Sequence, residues 1–176
     1  MNVLTDYIPA MRTWIRYPVM FVVLVLLQVL LFNQIHLGGF LNPFMYVLFI
    51  LLLPLSMPRY AVLLLSFFLG MTIDWFSNSP GLHASASVLM GFLRSPVISL
   101  ITQKESEQSD YPGLQQTGWR WFLTYAVFLV VIHHLFLFFI EVFSFENFFR
   151  TLLRSLASSV FTLVMIFLSQ FIIFRE

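Results

Sequence analysis

Cysteine is missing from the chain of 176 residues. A disulfide framework and a thiolate metal site are therefore excluded, and cysteine use gives no indication of the redox compartment. Charge is also scarce, because only 10% of the residues are Asp, Glu, Lys or Arg, whereas a soluble domain carries roughly 25%. The sequence therefore has too few charged side chains to cover the surface of a soluble protein of this size.

Apolar residues are correspondingly abundant. They make up 60% of the chain, which includes 22 Phe, and the mean hydropathy is +0.91. Apolar runs that can cross a hydrocarbon core of about 30 Å recur along nearly the whole sequence and leave no stretch for a separate soluble core. We therefore expect an all-α polytopic membrane protein with a single membrane domain over residues 1–176. The net charge of +1 gives no reason to expect a nucleic acid partner.

The apolar runs predict six transmembrane helices. No small-residue cleavage site follows the first run, so this run is expected to remain as a membrane anchor. Tight turns join several spans, and the longest hydrophilic connection is a loop over 102–118. The predicted spans are approximately 18–34, 43–57, 60–76, 82–101, 119–141 and 150–174.

Basic residues predict the orientation of these spans, since Lys and Arg in short loops are retained on the cytoplasmic side. Most of them fall at one face if the N-terminus is inside, and of the opposite connections only the last carries one, Arg150. Both termini and the 102–118 loop are therefore predicted to be cytoplasmic. The basic residues on that side are Arg12, Arg16, Arg59, Lys104, Arg120 and Arg175.

The segment GMTIDWFSNSPGLHASA covers the outer end of the third predicted span and the turn into the fourth. Its Asp74 is expected about one helical turn below the membrane surface. Burying a carboxylate costs about 2.5–3.5 kcal/mol at mid-bilayer and less near the interface, so Asp74 needs protein or water beside it. Asn78 and Gly81 can adopt the positive φ of a tight turn, and Pro80 fixes the chain entry. Ser79 is expected to cap the amides at the start of the next helix.

Three roles for Asp74 remain open from the sequence. The carboxylate could cap the turn or reach water, it could bond to another helix and so fix the fold, or it could carry a proton or bind a substrate. In the second case the expected partner is a serine, a histidine or an arginine in the outer half of the membrane. His83, which follows the turn, belongs to the same group of candidate structural residues.

Further polar residues fall in the fifth and sixth predicted spans. His134 and Glu141 are seven residues apart and so lie within about 20° on one helical face. The hairpin EVFSFENFFR brings Glu141 towards Arg150, which predicts an ion pair, with Arg154 one turn deeper; the alternative is a solvated pair that contributes little. His133 and His134 point about 100° apart and cannot easily bind one metal ion.

Arg94 falls in the inner part of the fourth predicted span, where its guanidinium can extend to cytoplasmic phosphates. Asp74 is the only aspartate in the spans, so the two facing aspartates of an intramembrane protease are missing. Neither a G-x-S-x-G motif nor a phosphate-binding P-loop is present. We therefore expect no enzymatic activity, no catalytic or metal-binding residue and no cofactor.

The segment from LLLSFFLG through DWFSNSPGLHASASVLMGFLRSPVI resembles the rod shape-determining protein MreD family. Members carry a glycine, an aspartate one turn later, a short polar turn and Gly-Leu-x-Ala, although many have a glycine where Asn78 stands. The later VIHHLFLFFIEVFSFENFF stretch is similar to the Bacteroidetes-type version of the family. The matching positions are Gly70, Asp74, Gly81, Leu82 and Ala84.

This resemblance implies a scaffold in the bacterial inner membrane that acts in the cell-elongation complex during peptidoglycan synthesis. Its implied partners are an MreC-like protein, an MreB-like filament and the elongation synthase pair. It also implies a fold similar to the substrate-binding subunits of energy-coupling-factor transporters, so the alternative is a subunit that binds a small, vitamin-like molecule. The candidate structural or partner-contact residues are Gly70, Asp74, Asn78, Pro80, Gly81, His83, Arg94, His134, Glu141, Arg150 and Arg154.

A third function, a proton-coupled carrier that uses Asp74 and Glu141, fits the sequence less well. Such carriers have Gly- or Pro-broken spans in paired halves, and the sequence lacks that pattern.

The orientation can be tested in the cysteine-free background. The variants Gly39→Cys and Glu146→Cys should react with an impermeant thiol reagent added to intact cells, whereas Ser109→Cys should stay unlabelled because its loop is predicted to be cytoplasmic. Labelling after cell lysis controls for the accessibility of each thiol. Labelling of Ser109→Cys in intact cells would exclude the orientation with the N-terminus inside.

Overall fold

In the described part of the chain, all regular secondary structure is helical. A computed structural model describes residues 3–34, 41–102, 110–144 and 147–173. The helices are α1 (Val3–Leu30), α2 (Val47–Leu51), α3 (Arg59–Ser77), α4 (Leu82–Ile101), α5 (Leu114–Thr117), α6 (Trp119–Val142) and α7 (Phe148–Ile173), and a short 3₁₀ turn, Phe32–Gln34, follows α1.

Within the described ranges, five helical segments are long and apolar enough to cross a membrane. Large apolar side chains cover their outward surfaces, as expected for contact with hydrocarbon rather than water; Trp75 of α3, for example, is 83% exposed. The chain is therefore an α-helical polytopic membrane protein. The five segments are Ile15–Gln34, Arg59–Ser77, Leu82–Ile101, Trp119–Val142 and Phe148–Ile172.

The second predicted span, 43–57, differs from a membrane-length helix. Only the five residues of α2 are helical there, and Pro43, Pro54 and Pro58 interrupt the backbone hydrogen bonding that a longer helix needs. The side chains from Phe44 to Leu53 are all buried. A short apolar run can therefore indicate a segment that is surrounded by protein on all sides, and not only a helix that faces lipid.

The segment 41–58 returns the chain from one end of the bundle to the other. Asn33 Nδ2 donates to Ser77 Oγ at 3.0 Å, which joins the C-terminal ends of α1 and α3, so both helices run in the same direction. We call this end the Asp74 end and the opposite one, where α3 begins, the Arg59 end. Because α1 finishes at the Asp74 end and α3 begins at the Arg59 end, the chain between them must run back through the interior.

Side chains from the surrounding helices satisfy the irregular backbone of this returning segment. The amide of Asn42 donates to Ser158 Oγ and that of Phe44 to Thr162 Oγ1, both at 3.1 Å. Gln28 Nε2 donates to the carbonyl of Pro43 at 3.0 Å. Non-helical backbone at membrane depth is tolerated only where protein or water satisfies its polar groups, so these polar side chains make the buried path possible.

The start of the first predicted span and the 102–118 loop also differ from the structure. Helix α1 begins at Val3, far before residue 18, and so includes Arg12. Part of the predicted 102–118 loop folds back onto the bundle, since the amide of Leu55 donates to the carbonyl of Asp110 at 2.7 Å and Arg16 lies 3.9 Å from the centre of the Tyr111 ring. Burial raises the pKa of the Tyr111 phenol to about 12.

Several positions used in the topology argument lie outside the described residues. They are Gly39, Lys104, Ser109, Glu146 and Arg175.

Small residues allow α3 and α4 to approach closely. A Cβ at Gly70 would collide with backbone atoms of His83 and Ala84, and a Cβ at Gly91 would meet the side chain of Ser66. Close backbone approach at small residues is a common basis for helix association in membranes. Gly70, a candidate residue from the sequence, thus lies where α3 packs against the first turn of α4.

The two glycines lead to a test of this packing. Gly70→Ala should lower stability by about 1–3 kcal/mol, because a methyl group there forces backbone apart. Gly91→Ala serves as a matched control and should cost less, since the Ser66 side chain can rotate away. The measurement is thermal unfolding of both purified variants in the same detergent. Equal losses in the two variants would contradict the backbone contact at Gly70.

Candidate functional site

The carboxylate of Asp74 caps the first turn of α4. Its Oδ1 accepts from the amide of His83 at 2.9 Å, and its Oδ2 accepts from the amides of Gly81 at 3.1 Å and Ala84 at 2.9 Å. The first amides of a helix have no partners within the helix, and their partial positive charge favours an anion. One buried carboxylate thus satisfies three donors at the start of α4.

Ser79 does not supply the side-chain cap that the sequence predicts. Its carbonyl accepts from the amide of Leu82 at 3.2 Å, whereas its hydroxyl donates to Asp74 Oδ1 at 3.0 Å. His83 Nδ1 lies 3.0 Å from the same carboxylate oxygen and 3.0 Å from Ser79 Oγ. The prediction was wrong because the turn brings the longer side chain of Asp74, from the previous helix, directly under the free amides.

The backbone of the turn agrees with the sequence prediction. Asn78 has φ of 52° and Gly81 has φ of 84°, both in the left-handed region. The amides of Asn78 and Ser79 both bond to the carbonyl of Asp74, and Pro80 completes the turn before α4. The left-handed residues reverse the chain within four positions, and this reversal is what places Asp74 over the next helix.

Asp74 is 3% exposed, so it does not reach out to water. It bonds simultaneously to the turn and to the neighbouring helix, and two of the three roles left open by the sequence therefore coincide. The partners are a serine and a histidine, two of the residue types expected from the sequence.

A cleft of about 390 Å³ opens beside this turn at the Asp74 end. Helix ends and the start of the returning segment contribute its polar groups, and the rings of Phe32, Phe44 and Phe76 contribute apolar surface. This combination of convergent polar groups and aromatic rings is typical of small-molecule sites. The polar lining includes Gln28, Asn33, Asn42, Ser77, His83 and Glu141.

The ion pair at the mouth of this cleft differs from the predicted one. Glu141 Oε2 lies 3.3 Å from Arg154 Nη1, and in the described chain no ion pair involves Arg150, which is exposed. Arg154 also lies 4.4 Å from the centre of the Phe138 ring. Arg150 and Arg154 share one face of α7, and Arg154 lies one turn further along the helix, at the level of Glu141.

The two histidines of α6 are buried and support the returning segment. His133 Nε2 lies 2.8 Å from the hydroxyl of Tyr46. His134 Nδ1 lies 2.8 Å from the carbonyl of Val130 and its Nε2 lies 3.0 Å from Thr162 Oγ1. His134, a candidate from the sequence, therefore contacts α7 rather than Glu141. Among the described residues, no group of three or more His, Cys, Asp or Glu is arranged to hold a metal ion.

Arg94 does not extend to the membrane surface as predicted. It is 3% exposed, and its Nε donates to the hydroxyl of Tyr125 at 2.9 Å. Its Nη2 donates to the carbonyls of Leu53 and Pro54. The guanidinium turns inward because the non-helical end of the returning segment presents carbonyl groups that have no helical partner.

Several residues of this network do not appear among the sequence candidates. Tyr46, Thr162 and Ser158 look like ordinary residues of apolar spans. The position of Gln28 could have been recognised from the sequence, because it is the only amide side chain in the long apolar run of α1. An isolated polar residue in a span usually has a partner within the protein.

Comparisons of the chain with protein-family models, with curated proteins and with solved structures find no match.

A double-mutant cycle tests the corrected ion pair. Glu141→Gln and Arg154→Gln should couple by more than about 0.5 kcal/mol, because partial burial limits solvent screening. Glu141→Gln combined with Arg150→Gln provides the matched control and should be additive. The measurement is the unfolding free energy in detergent. Coupling to Arg150 but not to Arg154 would show that the pair described here does not form in solution.

Proposed function

We propose that the chain is a non-enzymatic scaffold of the bacterial inner membrane and a member of the MreD family that acts in the cell-elongation complex. The proposal depends on the structural roles of three residues that match the MreD family pattern. Gly70 admits the backbone of α4, Asp74 caps that helix and Gly81 adopts the left-handed turn. All three thus hold two spans in a fixed relation, which is what a protein that presents a surface to partners requires.

The proposed partners are an MreC-like protein and, with it, an MreB-like filament and the synthase pair that builds peptidoglycan. In this arrangement the chain crosses the membrane six times, with 41–58 as a crossing inside the bundle, and both termini are cytoplasmic. The excess of basic residues at the Arg59 end supports that orientation.

The outward face of α3 supports an interaction role. Tyr60, Leu64, Phe68, Met71 and Trp75 are all more than 40% exposed and recur at helical spacing along one side. Such a continuous stripe of large side chains can pack against lipid or against a partner's transmembrane helix. In the proposed function it is available for contact with an elongation partner.

A subunit that binds a small, vitamin-like molecule is the second candidate, and the cleft at the Asp74 end favours it. Its polar groups come from helix ends, from the turn before α4 and from the start of the returning segment, and they converge on one space. The two functions differ in what co-purifies with the wild-type chain. A scaffold retains an MreC-like protein, whereas a binding subunit retains a small molecule in the cleft.

The role of Asp74 provides the functional test. Asp74→Asn should be milder than Asp74→Leu, because an amide oxygen can still accept from one of the α4 amides, whereas leucine leaves them unpaired at about 1–3 kcal/mol each. The readouts are complementation of cell shape and co-purification of the MreC-like partner at matched membrane abundance.

Asp110→Asn is the matched control for loss of a carboxylate. Asp110 is exposed at the opposite end, where its Oδ1 accepts from the amide of Ser56 at 2.7 Å, and its replacement should leave partner binding unchanged. A proton-coupled carrier predicts a different order, with Asp74→Asn as defective as Asp74→Leu while partner binding persists. That result, or failure of the wild-type chain to retain the MreC-like protein, would contradict the scaffold proposal.

A further inference from the structure

The guanidinium of Arg94 is a buried cation, and its hydrogen-bond partners in the described part of the chain are all neutral. Its hydrogen-bond acceptors are the hydroxyl of Tyr125 and the carbonyls of Leu53 and Pro54. Within the described ranges, no carboxylate forms an ion pair with it, and its Nη1 makes no hydrogen bond there. A buried charge is costly unless an opposite charge accompanies it, and neutral acceptors satisfy the donors without neutralising the charge.

A small pocket lies beside this cation between α3 and α4. Its volume is about 90 Å³, which is room for a group equivalent to a few water molecules of ~30 Å³ each. The polar residues that line it are Arg59, Arg94 and Ser95, and Arg59 Nε donates to Ser95 Oγ at 3.0 Å. Two arginines thus line a cavity of the size of a small polyatomic ion.

The electrostatic surroundings favour an anion in this pocket. Helix α3 begins at Arg59, so the positive end of its dipole lies at the same place. Asp110, the acidic residue described at this end, lines a separate groove with Tyr17 and Pro58 and does not line the pocket.

The depth of the pocket indicates which anions can reach it. Arg59 is the first residue of a membrane-length apolar helix, so the pocket lies where the hydrocarbon region gives way to the polar interface. The phosphate groups of lipids occupy this interface, and free phosphate can reach it from the water. Guanidinium groups match phosphate oxygens through paired, charge-assisted hydrogen bonds.

We propose that this pocket binds a phosphate group between Arg59 and Arg94, supplied by a membrane lipid or by free phosphate. The bound group provides the negative charge that Arg94 lacks within the described chain. It also bridges the start of α3 to the C-terminal half of α4. This contact lies at the end of the α3–α4 pair that is opposite to Asp74.

Binding of phosphatidylglycerol to the delipidated, full-length protein in neutral detergent, measured by native mass spectrometry, tests the proposal. Arg59→Gln should weaken binding about tenfold, since one charge-assisted hydrogen bond is lost. Arg120→Gln is the matched control, because Arg120 is also exposed at this end but lies beside Trp119 and outside the pocket. Ser95→Leu should weaken binding as well, because the larger side chain fills the pocket and removes the hydroxyl that accepts from Arg59.

Both arginine variants change exposed side chains, and thermal unfolding checks that each remains folded. Diacylglycerol, which lacks the phosphate, should not bind at this site. Competition by millimolar inorganic phosphate would identify free phosphate as an occupant, and its absence would identify the lipid headgroup; either result supports a phosphate site. Equal binding by the Arg59→Gln and Arg120→Gln variants, or no binding of either probe to the wild-type chain, would overturn the proposal.

Discussion

The contact between the Asp74 carboxylate and the first amides of α4 is the interaction on which the arrangement of the bundle depends. It places a negative charge against the positive end of a helix in a region from which water is largely excluded. The same contact fixes how α3 and α4 meet, and Gly70 then allows the two backbones to touch. A change in the cap therefore alters the packing of two spans and not only the turn between them.

A second constraint is the irregular segment that returns through the interior. Its backbone groups need partners at membrane depth, and the polar side chains of the bundle supply them. Gln28 and Thr162 bond to its first half, and Arg94 bonds to the carbonyls at its end. Several polar residues of the spans are thus engaged in holding this segment, which fits the proposed scaffold better than a pathway that must release and rebind a proton.

The two ends of the protein differ in chemistry. The Asp74 end has a cleft with amides, a histidine and a paired carboxylate, whereas the Arg59 end has a small pocket lined by arginines. The closely packed α3–α4 pair connects them. In the proposed function, this close packing keeps the exposed side of α3 in one orientation towards a partner, and a phosphate group at the Arg59 end would stabilise the pair from its other side.

The sequence by itself determined the membrane class, the five apolar segments long enough to cross a membrane and the left-handed turn at Asn78 and Gly81, because hydropathy and turn geometry are local properties. Tertiary structure alone decided the partners of the charged residues. Arg154 rather than Arg150 meets Glu141, and Arg94 turns inward, since each choice depends on which groups a neighbouring helix or an unwound segment presents. The 43–57 run is a further example. Its apolar composition indicates that it is excluded from water, but composition does not distinguish a segment surrounded by lipid from one surrounded by protein.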